Sequence, residues 1–408
     1  MKSSFYSGNR QTLYSSLPED TLLIVYAGSA IRKTADEDYP VYIDTNFLYL
    51  TGIEQRETVL FTVKTNGETK ETIFSLPPDF MVERWTGKRL KPDAITEISG
   101  CTDVKSTDEL DEQIKAASRR VRYLAVDIDD LNAKNPTQAA FLSHVREICS
   151  SPAIYDVRPQ LRRQRTIKAP CEIEAMRKAC DITRDGIIAM MKASKPGMYE
   201  YQYKAHYDSA LLMRGCREPA FPSIISAGEN NFCIHYYSYT GQSKDGDMIL
   251  NDVGAKYDHM HCDISRGWPC NGKYTDRQRA LYNCALSTSN HMFEILKPGM
   301  PHRFVDEEIH RYCGTLLCDV GILDKWENNR KYMWHNGAHH IGFDTHDMVA
   351  PDDVILPGMV FAVDVGIYVE EWGIGFRVEE TAHVTETGVE DLSKSVPRDI
   401  DEIEALMS

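Results

Sequence analysis

The chain is 408 residues long, 42% apolar and 26% charged, with a formal net charge of −15 at pH 7. That acidity argues against a nucleic-acid partner, whose phosphates need basic surface, and no run of about 18 apolar residues offers a membrane span. The length allows a sizeable core, distributed over two domains.

The opening Met1-Lys2-Ser3-Ser4-Phe5 has no hydrophobic signal core, so a soluble, cytoplasmic protein is expected. Strand patterns rich in β-branched and aromatic residues follow at Leu22–Tyr26, Phe47–Leu50, Val59–Val63, Thr72–Leu76 and Tyr123–Asp127. Between them lie helical patterns, Glu109–Arg119 behind the capping signal Ser106-Thr107-Asp108-Glu109, and Gln138–Ile148 behind Pro136-Thr137. The first domain therefore reads as mixed α/β. The basic stretch Arg158–Lys168 breaks the pattern and ends at Ala169-Pro170, which places the boundary between domains 1–165 and 166–408. A long amphipathic helix starts at Glu172, with Ile173, Met176, Cys180, Ile187 and Met191 near one face. Further helices are expected at Glu200–Arg214, Asp276–Leu296 and Val305–Val320, with strand-like runs between and after them. The second domain is therefore α+β with a curved antiparallel sheet. Eleven cysteines without a Cys-x-x-Cys pair, several in apolar contexts such as Leu317-Cys318, read as reduced core thiols.

The second domain repeats itself. Lys195-Pro196-Gly197-Met198 recurs 102 residues later as Lys297-Pro298-Gly299-Met300, and Asp252-Val253-Gly254 recurs 112 residues later as Asp364-Val365-Gly366. Two halves around a pseudo-twofold axis are expected. The Lys-Pro-Gly-Met segments are most economically helix connections. A second acidic residue follows in each half, Asp263 after Asp252 and Glu379 after Asp364. Four carboxylates facing one axis would not all stay ionised without cations between them, so a pair of divalent ions is the natural neutraliser.

Particular segments then carry a family resemblance. Asn251-Asp252-Val253-Gly254, Cys262-Asp263-Ile264-Ser265-Arg266, His335 to Asp347, Pro357-Gly358-Met359 and Gly375-Phe376-Arg377-Val378-Glu379 occur in order over about 130 residues. They resemble the pita-bread metallopeptidases, the group of methionine aminopeptidase, prolidase, creatinase and aminopeptidase P. Tyr39-Pro40, Asn46 to Gly52, Glu83-Arg84-Trp85-Thr86-Gly87 and the linker Arg165 to Pro170 with Glu172-Ile173 resemble the Xaa-Pro aminopeptidases in particular.

That resemblance implies a pita-bread catalytic domain with a pseudo-twofold repeat behind a smaller mixed α/β domain. It implies that Asp252 chelates one ion, that Asp263 and Glu379 bridge both, and that His339 with Asp364 caps the other. Hard carboxylates with one imidazole suit Mn²⁺. The implied activity is hydrolysis of the N-terminal Xaa-Pro bond through a metal-bridged hydroxide, with Glu379 taking the water's proton. His235 and His346 would contact substrate and the tetrahedral intermediate, Arg377 would orient the carboxylates, and His335 would stand behind them as a substrate-side residue. Trp85 would reach a neighbouring subunit's site, so a homo-oligomer, dimer or tetramer, is expected. The expected partners are peptides with proline second, with neither nucleic acid nor membrane involved. Two other readings stand beside this one. A prolidase would use the same ions on dipeptides alone, and a non-hydrolytic pita-bread binding protein would follow if Asp364, where the family carries glutamate followed by proline, cannot serve as a ligand.

Each residue has a plainer reading. Asp before Val-Gly is commonly a turn residue, His235 a satisfied core histidine and Trp85 a packing residue. On a strand only one of the adjacent His339 and His340 can face the ions, and spacing favours His339, leaving His340 structural. Gly337 and Gly342 oppose a helix joining His335 to His339. His259 and His261 are expected in loop or surface positions.

Overall fold

The computed structural model describes residues 1–127, 136–149, 151–350 and 354–408. The chain divides into two compact units, Met1–Gln164 and Arg165–Ser408.

The first unit runs α1 (Ser3–Ser16), β1 (Thr21–Tyr26), α2 (Thr45–Thr51), β2 (Val59–Thr65), β3 (Glu68–Ser75), α3 (Phe80–Thr86), α4 (Pro92–Ser99), β4 (Val104–Ser106), α5 (Leu110–Ser118), β5 (Tyr123–Val126), α6 (Pro136–Ile148) and β6 (Ala153–Asp156). Its sheet has the order β4-β3-β2-β1-β5-β6, with β1 antiparallel to β2 and parallel to β5. All six residues of the central β1 are buried, as a nearly continuous apolar strand covered on both faces requires. Leu22, Phe61 and Phe74 pack with Ile114, Leu142 and Val145 in one core.

Two expectations fail here for physical reasons, and one helix went unassigned. Phe47–Leu50, expected as a strand, lies in helix α2. Asp44 accepts the Phe47 N–H at 2.9 Å to start that helix, and Gly52 at φ +69° ends it, so the caps override the β preference of the aromatics. Helix α1 carries no clean apolar stripe because a fully buried arginine interrupts it. Arg10 donates to Glu71 at 2.9 Å and to the carbonyls of Leu50 and Ser99 at 2.8 and 2.9 Å. The basic stretch expected as a break is itself helical, α7 (Arg158–Thr166).

The second unit opens with α8 (Pro170–Ala193) and α9 (Glu200–Met213), followed by β7 (Ile224–Ala227), β8 (Met248–Val253), the short β9 (Lys256–Tyr257) and β10 (Met260–His261), and β11 (Ile264–Pro269). The pattern then recurs as α10 (Asp276–Ile295) and α11 (Phe304–Asp319) before β12 (Ala338–His340), β13 (Val360–Val369), β14 (Ile374–Val384) and β15 (Val389–Asp391). Helix α12 (Ile400–Met407) closes the chain. Two larger antiparallel sheets result, β11-β8-β7 and β12-β13-β14-β15, beside the two-stranded β9-β10 ribbon. Helix α8 starts at Pro170 rather than Glu172, and the Glu172 carboxylate turns back to accept the Ala169 N–H at 2.8 Å.

The repeat holds at the level of single hydrogen bonds. Gly197 and Gly299 turn between the paired helices at φ +85° and +86°, a conformation suited to glycine. The Gly197 N–H donates to Ser243 O at 2.8 Å and the Gly299 N–H to Ile355 O at 2.9 Å; Ser243 returns a bond to Met198 O and Ile355 one to Met300 O. Strands β11 and β14 meet where the Asp263 N–H donates to Thr381 Oγ1 and Arg266 Nη1 donates to Glu379 O, at 3.2 and 2.9 Å. This junction gathers the acidic residues of both halves.

Candidate metal centre

Each half presents its acidic residues from a strand hairpin. Asp252 on β8 stands opposite Ser265 on β11, with Asp263 just before that strand; Asp364 on β13 stands directly opposite Glu379 on β14. Cross-strand like charges destabilise a sheet unless something positive lies between them. His339 Nε2 lies 3.5 Å from both Asp263 Oδ2 and Glu379 Oε1. One ligand atom from each of these three residues falls within 4.8 Å of the others. Asp252 and Asp364 flank that set. Asp252 Oδ2 lies 3.8 Å from Arg377 Nη1, and Asp364 Oδ2 lies 3.2 Å from His335 Nδ1.

The electrostatics register the crowding. Burial, then the charge of Glu379, pushes the carboxyls of Asp252 and Asp263 up, Asp263 well above the usual carboxylate range. Burial pushes Asp364 up to about 7, against the pull of Arg377. Burial lowers the His339 imidazole, but its hydrogen bond to Glu379 and that carboxylate's charge outweigh it, and the ring ends above its ordinary value. Asp252, Asp263 and Asp364 each keep one buried Oδ1 without a hydrogen-bond partner. Orphaned carboxylate oxygens at a shared centre, with one imidazole among them, fit divalent cations preferring hard donors. The residues present therefore suit the ions that the sequence implied.

Alternation along the strands organises the rest. Arg377, Glu379 and Thr381 share one face of β14. Ser265 Oγ donates to Glu379 Oε2 at 2.7 Å, and Thr381 Oγ1 donates to Asp263 O at 3.0 Å. Neither Ser265 nor Thr381 was singled out in the sequence, although each lies two residues beyond a ligand candidate and so on its face. Buried Arg377 donates from Nη2 to Ile234 O at 2.6 Å, fixing the loop that carries His235. His335 Nε2 pairs with Tyr368 OH at 2.9 Å, a second partner unremarked in the sequence. Gly366 makes room for that histidine, since a Cβ there would sit 2.2 Å from His335 Nε2. Burial, reinforced by Arg377, brings His335 down to about 4.

At the rim, His346 is exposed and its ring centroid lies 4.2 Å from that of His339. Burial, then the charges of His339 and His235, lower its pKa, so it is neutral near pH 7 and able to donate. His235 is exposed beside it and stacks on Tyr237 at 6.2 Å between centroids. His340 turns away, as alternation requires, and meets His302 through an Nε2···Nε2 contact of 2.6 Å. Trp85 lies in the first unit on α3, which buries no residue, and is 87% exposed. One expectation is corrected. His261 is not at the surface; it is buried on β10 and its Nδ1 meets Thr345 Oγ1 at 3.0 Å, next to the turn bearing His346. All eleven cysteines are free and eight are buried.

Residues 174–386 match metallopeptidase family M24, and residues 6–124 match the aminopeptidase P N-terminal domain. The Xaa-Pro aminopeptidase of Escherichia coli strain K12 is 30% identical over 431 aligned residues, covering 98% of this chain and 97% of the relative. Two structures of E. coli aminopeptidase P, the zinc-substituted protein in complex with product and the form with the inhibitor Pro-Leu, each superpose with a TM-score of 0.93 at 28% identity. Each comparison covers 100% of this chain and 98% of the other. The chain belongs to metallopeptidase family M24, with an aminopeptidase P N-terminal domain ahead of a pita-bread metallopeptidase domain.

Proposed function

We propose that this protein is a metal-dependent aminopeptidase that hydrolyses the peptide bond between an N-terminal residue and a proline in second position. One observation carries the reading: Asp263, His339 and Glu379 converge within 4.8 Å between two further carboxylates, in a chain of family M24. Two divalent ions, for which we assign Mn²⁺, would be held by Asp252, Asp263, His339, Asp364 and Glu379 and would polarise the scissile carbonyl and acidify the attacking water. Glu379, its Oε2 held by Ser265, receives the proton of that water. His346 and His235, exposed above the carboxylates, donate where negative charge develops on the carbonyl oxygen. Arg377 orients Asp252 and, through Ile234, the loop of His235. His335, held between Asp364 and Tyr368, would meet the substrate beside the carboxylates. A proline peptide calls for a dedicated enzyme because the Xaa-Pro bond lacks the N–H that other peptidases grip.

The exposed helix α3 supports a homo-oligomer, dimer or tetramer, in which Trp85 of one copy serves a neighbour's substrate cavity. Free, buried thiols support a reducing cytoplasmic setting. Among the described residues no helix is long and apolar enough to cross a membrane.

The test is hydrolysis of an Xaa-Pro-Yaa tripeptide and the matching Xaa-Pro dipeptide by metal-stripped protein reloaded with Mn²⁺. Mn²⁺-dependent release of the first residue from the tripeptide is expected. Cleavage of the dipeptide alone would make the protein a prolidase, and no cleavage of either would leave a binding protein on the same fold.

A further inference from the structure

The buried ion network at the start of the second unit lies outside the chemistry described so far. Arg165 Nη2 donates to Asp344 Oδ2 at 2.7 Å and to Asp347 Oδ1 at 2.5 Å. Lys168 Nζ donates to Asp347 Oδ2 at 3.0 Å and to the Arg165 carbonyl at 2.8 Å. Thr166 Oγ1 accepts the Ala350 N–H at 2.8 Å. One short segment thus grips residues 344–350 at several points. The side chains of Arg165, Lys168 and Asp347 are each 1% exposed, and burying charges to that degree is unfavourable unless the partners and their geometry compensate.

What this network encloses is a turn. The Gly342 N–H donates to Asp344 O at 3.0 Å and the Asp347 N–H to His340 O at 2.9 Å. His346 projects from that turn, bracketed by the two aspartates that Arg165 ties together, and faces the His339 ring at 4.2 Å. Beyond its own two backbone bonds, the turn is tied at its first residues by His261, whose N–H donates to Gly342 O at 2.9 Å and whose Nδ1 meets Thr345 Oγ1 at 3.0 Å, so the segment after Thr345 depends on the Arg165 network. With both flanking carboxylates fixed to one guanidinium, the backbone that carries the ring is held in place beside the carboxylate centre.

We propose that Arg165 and Lys168, acting through Asp344 and Asp347, are positioning residues that hold His346 over the reacting carbonyl. The inference rests on the aminopeptidase reading for its kinetic effect, but not for its structural one. Arg165 is not among the residues assigned to the ions or to the substrate. Its contribution is to kcat, because a misplaced donor weakens transition-state stabilisation more than ground-state binding.

The side chain of Asp344 is 32% exposed, so Asp344→Asn takes the negative charge from one leg of the network without changing its shape and with little expected cost to the fold. The experiment compares Asp344→Asn, Asp344→Glu, His346→Ala and the double variant Asp344→Asn/His346→Ala in the full chain. The expected result for Asp344→Asn is a fall in kcat of about 10-fold with KM within about 2-fold, substantially restored in Asp344→Glu. In the His346→Ala background the same substitution should cost nothing further, since both act on one group. In metal-stripped, histidine-labelled protein, the His346 ring resonances should shift in Asp344→Asn while those of His235 stay in place. That NMR arm needs no turnover, so it decides the positioning claim even if no peptide is cleaved. Unchanged His346 resonances, or losses that multiply independently in the double variant, would overturn the proposal and leave the network a scaffold of the fold alone.

Discussion

The two halves of the second unit share a frame and differ in what they hang on it. Both use a glycine at φ +85° or +86° between paired helices, both close that turn onto an equivalent strand approach, and both carry Asp-Val-Gly on the strand that follows. The first half offers Asp252 and Asp263, and its strands bring no imidazole to the centre. The second offers Asp364 and Glu379 and adds β12 with His339, the turn with His346, and His335 behind Asp364. The paired hydrogen bonds keep the carboxylates in equivalent places, while the second half brings His339, His346 and His335 and the first half brings only His235, from the stretch between β7 and β8. Carboxylates are collected symmetrically and imidazoles unequally.

Breaking the symmetric part should have the largest effect. Asp263→Asn and Glu379→Gln, one from each half, are each expected to lower kcat/KM by about 10³-fold or more, because each removes a donor central to the tight set. Steady-state kinetics with metal analysis on the same samples checks this. A loss confined to Glu379→Gln would mean that the first half contributes charge but no ligand.

Metal removal sharpens the comparison through pH. The Asp364 carboxyl is raised to about 7 in the metal-free fold, against about 3.9 in an unfolded chain. The folded state therefore holds more protons over that interval, and metal-free stability falls as pH rises from about 4 to about 7. An ion competes with those protons, so its stabilising effect is greatest above pH 7. Saturating Mn²⁺ is expected to raise Tm by roughly 5–10 °C at pH 7.5 and clearly less at pH 5.5, as calorimetry would read. An equal gain at both pH values would contradict the shared carboxylate site.

The repeated glycines give the smallest and most local contrast. A Cβ at Gly254 would meet the carbonyl oxygen of Cys262 at 2.0 Å, whereas one at Gly366 would meet the side chain of His335 at 2.2 Å. Backbone cannot step aside, but an imidazole can. Gly254→Ala is expected to cost about 3 kcal/mol of stability and Gly366→Ala about 1 kcal/mol, the latter with displacement of His335. Chemical denaturation of both variants measures the difference.

The legible parts of the sequence were those fixed by local pattern. Alternation separated His339 from His340, the Asp-Val-Gly repeat pointed to paired strands, and proline with glycine marked the helix connections. Ser265 and Thr381 were overlooked because a hydroxyl becomes informative only once the register across β11 and β14 is known. Helix α1 was obscured by Arg10, whose burial depends on Glu71, distant in sequence. Phe47–Leu50 looked like a strand because aromatic content outweighed the capping signals of Asp44 and Gly52. His261 was expected near the surface, since nothing local announces Thr345 as its partner. Arg165 and Lys168 read as a linker for the same reason: their aspartate partners lie far along the chain, in a turn whose position only the fold reveals.

The most direct test of a centre built jointly by both halves is calorimetric titration of metal-stripped protein with Mn²⁺, carried out on the natural chain, Asp252→Asn and Asp364→Asn. The account predicts two ions per chain for the natural protein, and loss or marked weakening of one ion in each variant. A single ion in the natural protein, unaffected by Asp364→Asn, would contradict it.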